Sequence, residues 1–157
     1  MVVAAGNDNK DASDYSPARV EEAITVAAST FADQKADFSN WGAPVNIWAA
    51  GLNVTSTWND GRTKTISGTS MATPHVAGFA AYLLGTDPTL SPGQIAKLIS
   101  DKAQNGLLGG VREYFYFRLH VWHPDTEVIA TRSWRHRQQV AQQPVVNNVL
   151  GSPLYGT

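Results

Sequence analysis

The apolar positions of this chain fall in short blocks, and the character of the blocks changes along its length. "VVAA" at 2–5, "AITVAAS" at 23–29 and "VNIWAAG" at 45–51 are compact apolar runs with β-branched residues, each bounded by turn formers. Runs of that kind predict strands buried on both faces, as in a parallel sheet. Between the first two lies "GNDNKDASDYSPAR", dense in Gly, Asn, Asp, Ser and Pro, which predicts a loop. "DFSNWGAP" turns the chain before the third strand. "LNVTSTW" and "RTKTIS" flank Asn59-Asp60-Gly61, and Asp-Gly between extended runs predicts a hairpin.

From Thr69 the pattern becomes helical. Small and apolar residues continue to Leu84; Pro74 suits only the first turn of such a helix, and Gly85 is its expected stop. A second helix opens with Ser91 as N-cap, Pro92 at its first position and Gln94 completing a capping box. Its apolar residues Ile95, Leu98 and Ile99 share one face. Strands followed by helices predict an α/β fold with a mainly parallel sheet. A buried strand opening at Val2 predicts further chain upstream of Met1.

Past residue 109 this order dissolves. Residues 110–157 hold no lysine but five of the seven arginines, for a net charge of +2 against −3 for residues 1–109. "VREYFYFRLHVW" alternates loosely like a strand, while "TRSWRHRQQVAQQPVVNN" has no clear period. We place a boundary near 109 and expect residues 110–157 to be an unmatched tail derived from intron or frameshifted sequence. An arginine-aromatic module for nucleic acid is the rival reading, and five arginines without periodicity fit it poorly.

Composition sets the remaining bounds. With 157 residues, 43% hydrophobic and 16% charged, the chain can bury a real core. A net charge of −1 gives no reason to expect nucleic acid or an anionic membrane as partner. There is no cysteine, so disulfides and thiolate chemistry are excluded. The longest apolar run, "VAGFAAYLLG", is too short to span a bilayer, and "MVVAAGNDNK" lacks the pattern of a secretory signal.

Candidate chemistry gathers in "SGTSMATPHVAG", residues 67–78. A serine hydroxyl needs a base to take its proton and donors to receive the oxyanion it creates. Ser70 stands at the entrance of the predicted helix, where its backbone N–H is unpaired and the helix dipole favours an anion. The same residues also suit a plain N-cap region on a core helix. His75 is the nearest candidate base, but five residues along a helix separate side chains by ~7.5 Å of rise and about 140° of rotation. We read His75 as a helix-face histidine with a structural hydrogen bond.

"GTSMATPHVAG" resembles the nucleophile motif of the subtilisin-like serine peptidases, G-T-S-M-A-x-P-H-V-x-G, over eleven successive positions. "VVAAGNDN" is similar to that family's oxyanion-hole segment, and "FSNWG" followed by a strand and "GLNVTST" agrees in order and spacing. With "YSPA" after the oxyanion loop, the likeness is to the proteinase K branch and covers residues 2 to about 108. The resemblance implies a partial subtilisin-like fold, with a mainly parallel sheet flanked by helices. It implies Ser70 as nucleophile, Asn7 as the side-chain donor to the oxyanion, and Ala4, Ala5 and Gly6 as a wall of the pocket for large apolar side chains. Alone, Asn7 suits an Asx turn and Ala4-Ala5 a core strand; the roles come from the joint match.

Two departures matter. The family's D-[ST]-G and H-G-T motifs, which carry the other two triad members upstream of the serine, are absent. Asp33, Asp37 and Asp60 stand in other contexts, and His120, His123 and His136 all lie in the tail. The resemblance thus implies a serine endopeptidase acting on protein or peptide substrates, extracellular and monomeric, with no nucleic-acid or membrane partner. It also implies a chain that is inactive alone because its triad is incomplete; the alternative is a non-catalytic remnant or pseudoenzyme. No cofactor is expected for catalysis. A weak structural calcium site is implied at Asn46, where relatives carry a carboxylate and an amide leaves one charge fewer. "NVT" at 53–55 is an N-glycosylation acceptor pattern.

Overall fold

The computed structural model describes residues 1–105, 108–111 and 117–118. All belong to the first of two compact units, residues 1–121. The rest of the tail, including His120, His123 and His136, lies outside the described residues.

The three apolar blocks form strands β1 (Val2–Ala4), β2 (Ile24–Ser29) and β3 (Ile47–Ala50). They pair in parallel, with Val3 opposite Thr25 and Val26 opposite Ile47. Further along come β4 (Val54–Thr57) and β5 (Thr63–Ile66), then helices α1 (Thr69–Thr86) and α2 (Pro92–Lys102). Two short strands, β6 (Gln104–Asn105) and β7 (Phe117–Arg118), complete the set. The main sheet runs β1-β2-β3-β7-β6, parallel except for β6 against β7, so two residues from beyond position 109 join it. β4 and β5 form the antiparallel ribbon that Asp60-Gly61 predicts, with Gly61 at φ +79° in the turn.

β2 is buried along its whole length, and its side chains serve two cores by strict alternation. Ile24, Val26 and Ala28 join Ile47 and Ala49 beneath both helices, against Val76, Phe79, Leu83, Ile95 and Ile99. Ala27 and Trp48 face the other way, onto Ala5, Ala12, Ala18 and Val45. The described helices therefore cover one face, and the loop after β1 covers the other. Burying Val76 or Ile99 completely is worth about 1.5–3 kcal/mol each.

Two helix expectations are corrected. Pro74 lies in the second turn of α1, not its first; the missing N–H leaves the carbonyl of Ser70 without its usual partner four residues on, yet the helix continues. Gly85 does not end α1, which runs to Thr86 with Asp87 as its cap. Pro88 sets the stop, because the residue before a proline is pushed out of the helical region, and Asp87 is extended at φ −144°, ψ 96°. The start of α2 is as expected: Ser91 and Gln94 form both arms of the capping box.

Gly51 fixes where α1 begins. A Cβ there would collide with that of Ala28 and come within 2.8 Å of the carbonyl oxygen of Gly68. The bare backbone lets Gly68 donate its N–H to the carbonyl of Gly51 at 2.8 Å, seating the serine segment across the carboxyl ends of β2 and β3. Open parallel sheets place their ligand sites at that end. The opposite side of α1 is unusual, for Ala77, Gly78, Ala81, Tyr82 and Leu84 are exposed. A helix apolar all round belongs inside a core, and among the described residues β1 is an edge strand of the sheet. No helix among the described residues is long and apolar enough to cross a membrane.

Candidate active site

Ser70 is the second residue of α1 and is exposed, while Gly68 and Thr69 beneath it are buried. Asn7 follows β1 by three residues, so the fold brings together positions 63 apart in sequence. Thr69 makes the junction. Its backbone N–H donates to Asn7 Oδ1 at 2.8 Å and its hydroxyl donates to the same oxygen at 2.9 Å, while Gly6 N–H donates to the Thr69 hydroxyl at 3.2 Å. With two donors on its oxygen, the Asn7 amide has only one sensible orientation, and its Nδ2 is left to donate elsewhere.

That nitrogen lies close to Gly68. A Cβ built on Gly68 would lie 3.7 Å from the backbone nitrogen of Ser70 and 3.8 Å from Asn7 Nδ2, with the Met71 sulfur at 3.5 Å. Two N–H donors, one at a helix N-terminus, thus border one small volume kept open by a missing side chain. Fixed donors of that kind suit a charge that develops during a reaction. Because those distances are ordinary contacts and Gly68 is extended at φ 160°, Gly68→Ala should fold normally. Its methyl would enter the shared volume. In an active protease carrying this segment we expect kcat about tenfold lower, or ~1.4 kcal/mol of barrier, with an unchanged urea midpoint; steady-state kinetics beside urea unfolding check both.

The loop bearing Asn7 is held from below by Asn40, a residue whose role the sequence pattern did not single out. Asn40 is fully buried, accepts the N–H groups of Asp8 and Lys10 at 3.0 Å each, and donates to the carbonyl of Ala5 at 2.9 Å. Gly6 is shaped to this clamp: at φ +104°, any Cβ would run into Asn40 Nδ2. Asn40→Leu leaves three backbone groups without partners, so unfolding should become easier by about 3 kcal/mol or more, read as a falling urea midpoint. "FSNWG" signalled only a turn, and nothing local in it reveals that its asparagine reaches back across 32 residues. Tyr15 packs beside the same loop, where burial first and Asp8 second push its phenol above the ordinary range.

The other candidates fall as follows. Ala4 ends β1 half-buried; Ala5 is buried and continues the pairing through its N–H to the carbonyl of Val26 at 2.9 Å. His75 Nδ1 lies 2.9 Å from the carbonyl oxygen of Met71 on an exposed helix face. It is the one histidine among the described residues and, as expected, makes a local backbone contact. Asp33 sits in a turn at φ +60°, and Asp60 accepts Arg62 N–H within the ribbon turn at 3.0 Å. Asn46 Oδ1 accepts Thr25 N–H at 2.6 Å, and its own N–H donates to the Thr25 carbonyl at 3.0 Å. That oxygen thus serves the junction of β2 and β3. Among the described residues no three His, Cys, Asp or Glu side chains gather as a metal cluster.

Residues 1–144 match the family described as the subtilase family, Peptidase_S8. The chain belongs to the subtilase family. It is 52% identical over 111 residues to the cuticle-degrading protease of Metarhizium anisopliae, an alignment covering 71% of this chain and 29% of that protein. It is 54% identical over 101 residues to the extracellular serine proteinase of a Thermus strain, covering 63% and 25%. Among solved structures, a cold-adapted subtilisin-like serine proteinase superposes with a TM-score of 0.74 at 44% identity, over 76% of this chain and 44% of its own. This subtilase chain therefore spans under a third of the curated relatives named here and under half of the solved structure.

Proposed function

We propose that this subtilase chain is the nucleophile-bearing part of a serine endopeptidase, secreted and acting on protein or peptide substrates. The observation that supports the reading is that the Ser70 backbone nitrogen and Asn7 Nδ2 both lie beside Gly68, 3.7 Å and 3.8 Å from where a Cβ on it would stand. In the proposed reaction Ser70 Oγ attacks the scissile carbonyl. The bond forms as the hydroxyl proton passes to a base, and the carbonyl oxygen becomes an oxyanion received by those two donors. Ala4 and Gly6 line the approach for a large apolar side chain, while Ala5, buried against Ala27 and Trp48, supports that wall from behind. The named relatives are proteases, one of them called extracellular, which supports the secreted reading.

The base is the part we expect this chain not to supply. His75 is tied to its own helix, and the D-[ST]-G and H-G-T motifs are absent. We therefore expect the 157 residues alone to be inactive, and to act only when joined to the remainder of a subtilase domain. The exposed apolar side of α1 and the position of β1 at the edge of the sheet among the described residues suit that remainder. Asn46, its oxygen already accepting the Thr25 N–H and no cluster of acidic side chains gathered among the described residues, would offer calcium at most a weak structural site, with no part in the reaction.

A sulfonyl fluoride probe tests the proposal, because it reacts only with a serine activated by a base. It should label Ser70 in a chimera where residues 1–108 replace the aligned segment of the Metarhizium protease, and leave the isolated chain unlabelled. A folded chimera with unlabelled Ser70 would overturn the reading.

A further inference from the structure

We propose that Asn53 is an acceptor site for an N-linked oligosaccharide. Asn53-Val54-Thr55 is the only N-x-[ST] triplet with a non-proline centre in the 157 residues. The structure places it where a large carbohydrate fits. Asn53 and Thr55 are both exposed, at the start of the β4–β5 ribbon, which pairs apart from the main sheet. Asn53 is left-handed at φ +54°, a conformation asparagine tolerates well. This turns the chain at the surface just before the ribbon.

The hydrogen bonding separates what the fold needs from what the modification takes. The backbone N–H of Asn53 donates to Ser67 Oγ at 2.9 Å, and Asn53 Oδ1 accepts weakly from the same hydroxyl at 3.4 Å. No partner for Asn53 Nδ2 occurs among the described residues. Glycosylation uses only that nitrogen: Nδ2 attacks the anomeric carbon of an oligosaccharide carried on a polyprenyl pyrophosphate. The carbon–oxygen bond to pyrophosphate breaks, Nδ2 surrenders one proton, and polyprenyl pyrophosphate leaves with the electron pair. The amide oxygen, the backbone N–H and the Ser67 contact all survive. Ser67 lies three residues before Ser70, so the carbohydrate would stand beside the segment that enters the site.

This inference rests on the secretory reading above, since the transferase and its lipid-linked donor meet only chains that enter the secretory route. The test therefore supplies that entry. The full 157-residue chain, behind a cleavable secretion leader, is expressed in yeast, recovered from the secretory compartments and mapped as peptides. The expected result is an endoglycosidase-sensitive oligosaccharide on the Asn53 peptide, with Asn53 converted to Asp on enzymatic release. It should be lost in Asn53→Asp, which keeps the left-handed turn, and in Thr55→Val, and retained in Thr55→Ser. Recovery of the chain from those compartments with Asn53 unmodified overturns the acceptor site. Because the leader forces entry, that result says nothing against the protease reading, which the sulfonyl fluoride experiment tests separately.

Discussion

Ser70→Ala in the chimera with the Metarhizium protease should remove nearly all hydrolysis of casein. The expected fall in kcat is about 10⁶-fold, a magnitude taken from subtilisin, where removing the serine costs as much as removing the whole triad. The loss is large because nucleophile, base and orienting carboxylate act as one unit: without Ser70 Oγ no acyl-enzyme forms, and water must attack unaided. The structure gives no reason for the variant to unfold. Ser70 is exposed, and its neighbour Thr69 makes the contacts that tie the helix start to Asn7. Unchanged urea unfolding with vanished turnover is the expected pair of results, and substantial residual turnover would remove Ser70 from the role assigned to it.

Asn7→Leu should have the second-largest effect, with kcat in the same chimera lower by about 10²–10³-fold, again a subtilisin magnitude. KM should hardly move. The ground-state carbonyl makes little use of a donor placed for the oxyanion, so the loss falls on the transition state. Leucine also strips Thr69 of its acceptor, so some stability is lost with the activity. Asn7→Asp separates the two effects: a carboxylate still accepts from Thr69 but offers no donor, and kcat should fall at least as far. A raised KM with kcat intact would instead assign Asn7 to substrate binding.

The proposed nucleophile segment stood out in the sequence because its residues are contiguous, whereas Asn7 was singled out only through the resemblance. Gly68, Thr69 and Ser70 must be small, anchored and exposed in that order to open a helix beneath a reacting group, and the eleven-position match shows it. The strands were legible from their apolar blocks, the hairpin from Asp60-Gly61, and α2 from its capping box. What stayed hidden depends on distance along the chain. Asn40 holds the Asn7 loop across 32 residues, and Gly51 makes room for Gly68 by a missing side chain; neither leaves a local pattern. The end of α1 was misplaced because Gly85 is a weak stop in a helix packed through Leu83, whereas Pro88 acts through sterics on Asp87. Which face each helix covers depends on how the alternation of β2 meets α1 and α2, and short apolar runs do not encode that choice.

Whether the base lies outside this chain is decided by casein hydrolysis, measured for the purified 157-residue chain and for the chimera, each beside its Ser70→Ala variant. The chain should show no turnover above its own variant, and the chimera should show turnover that the substitution abolishes. Serine-dependent hydrolysis by the chain alone would contradict this, because a base would then have to exist within these 157 residues.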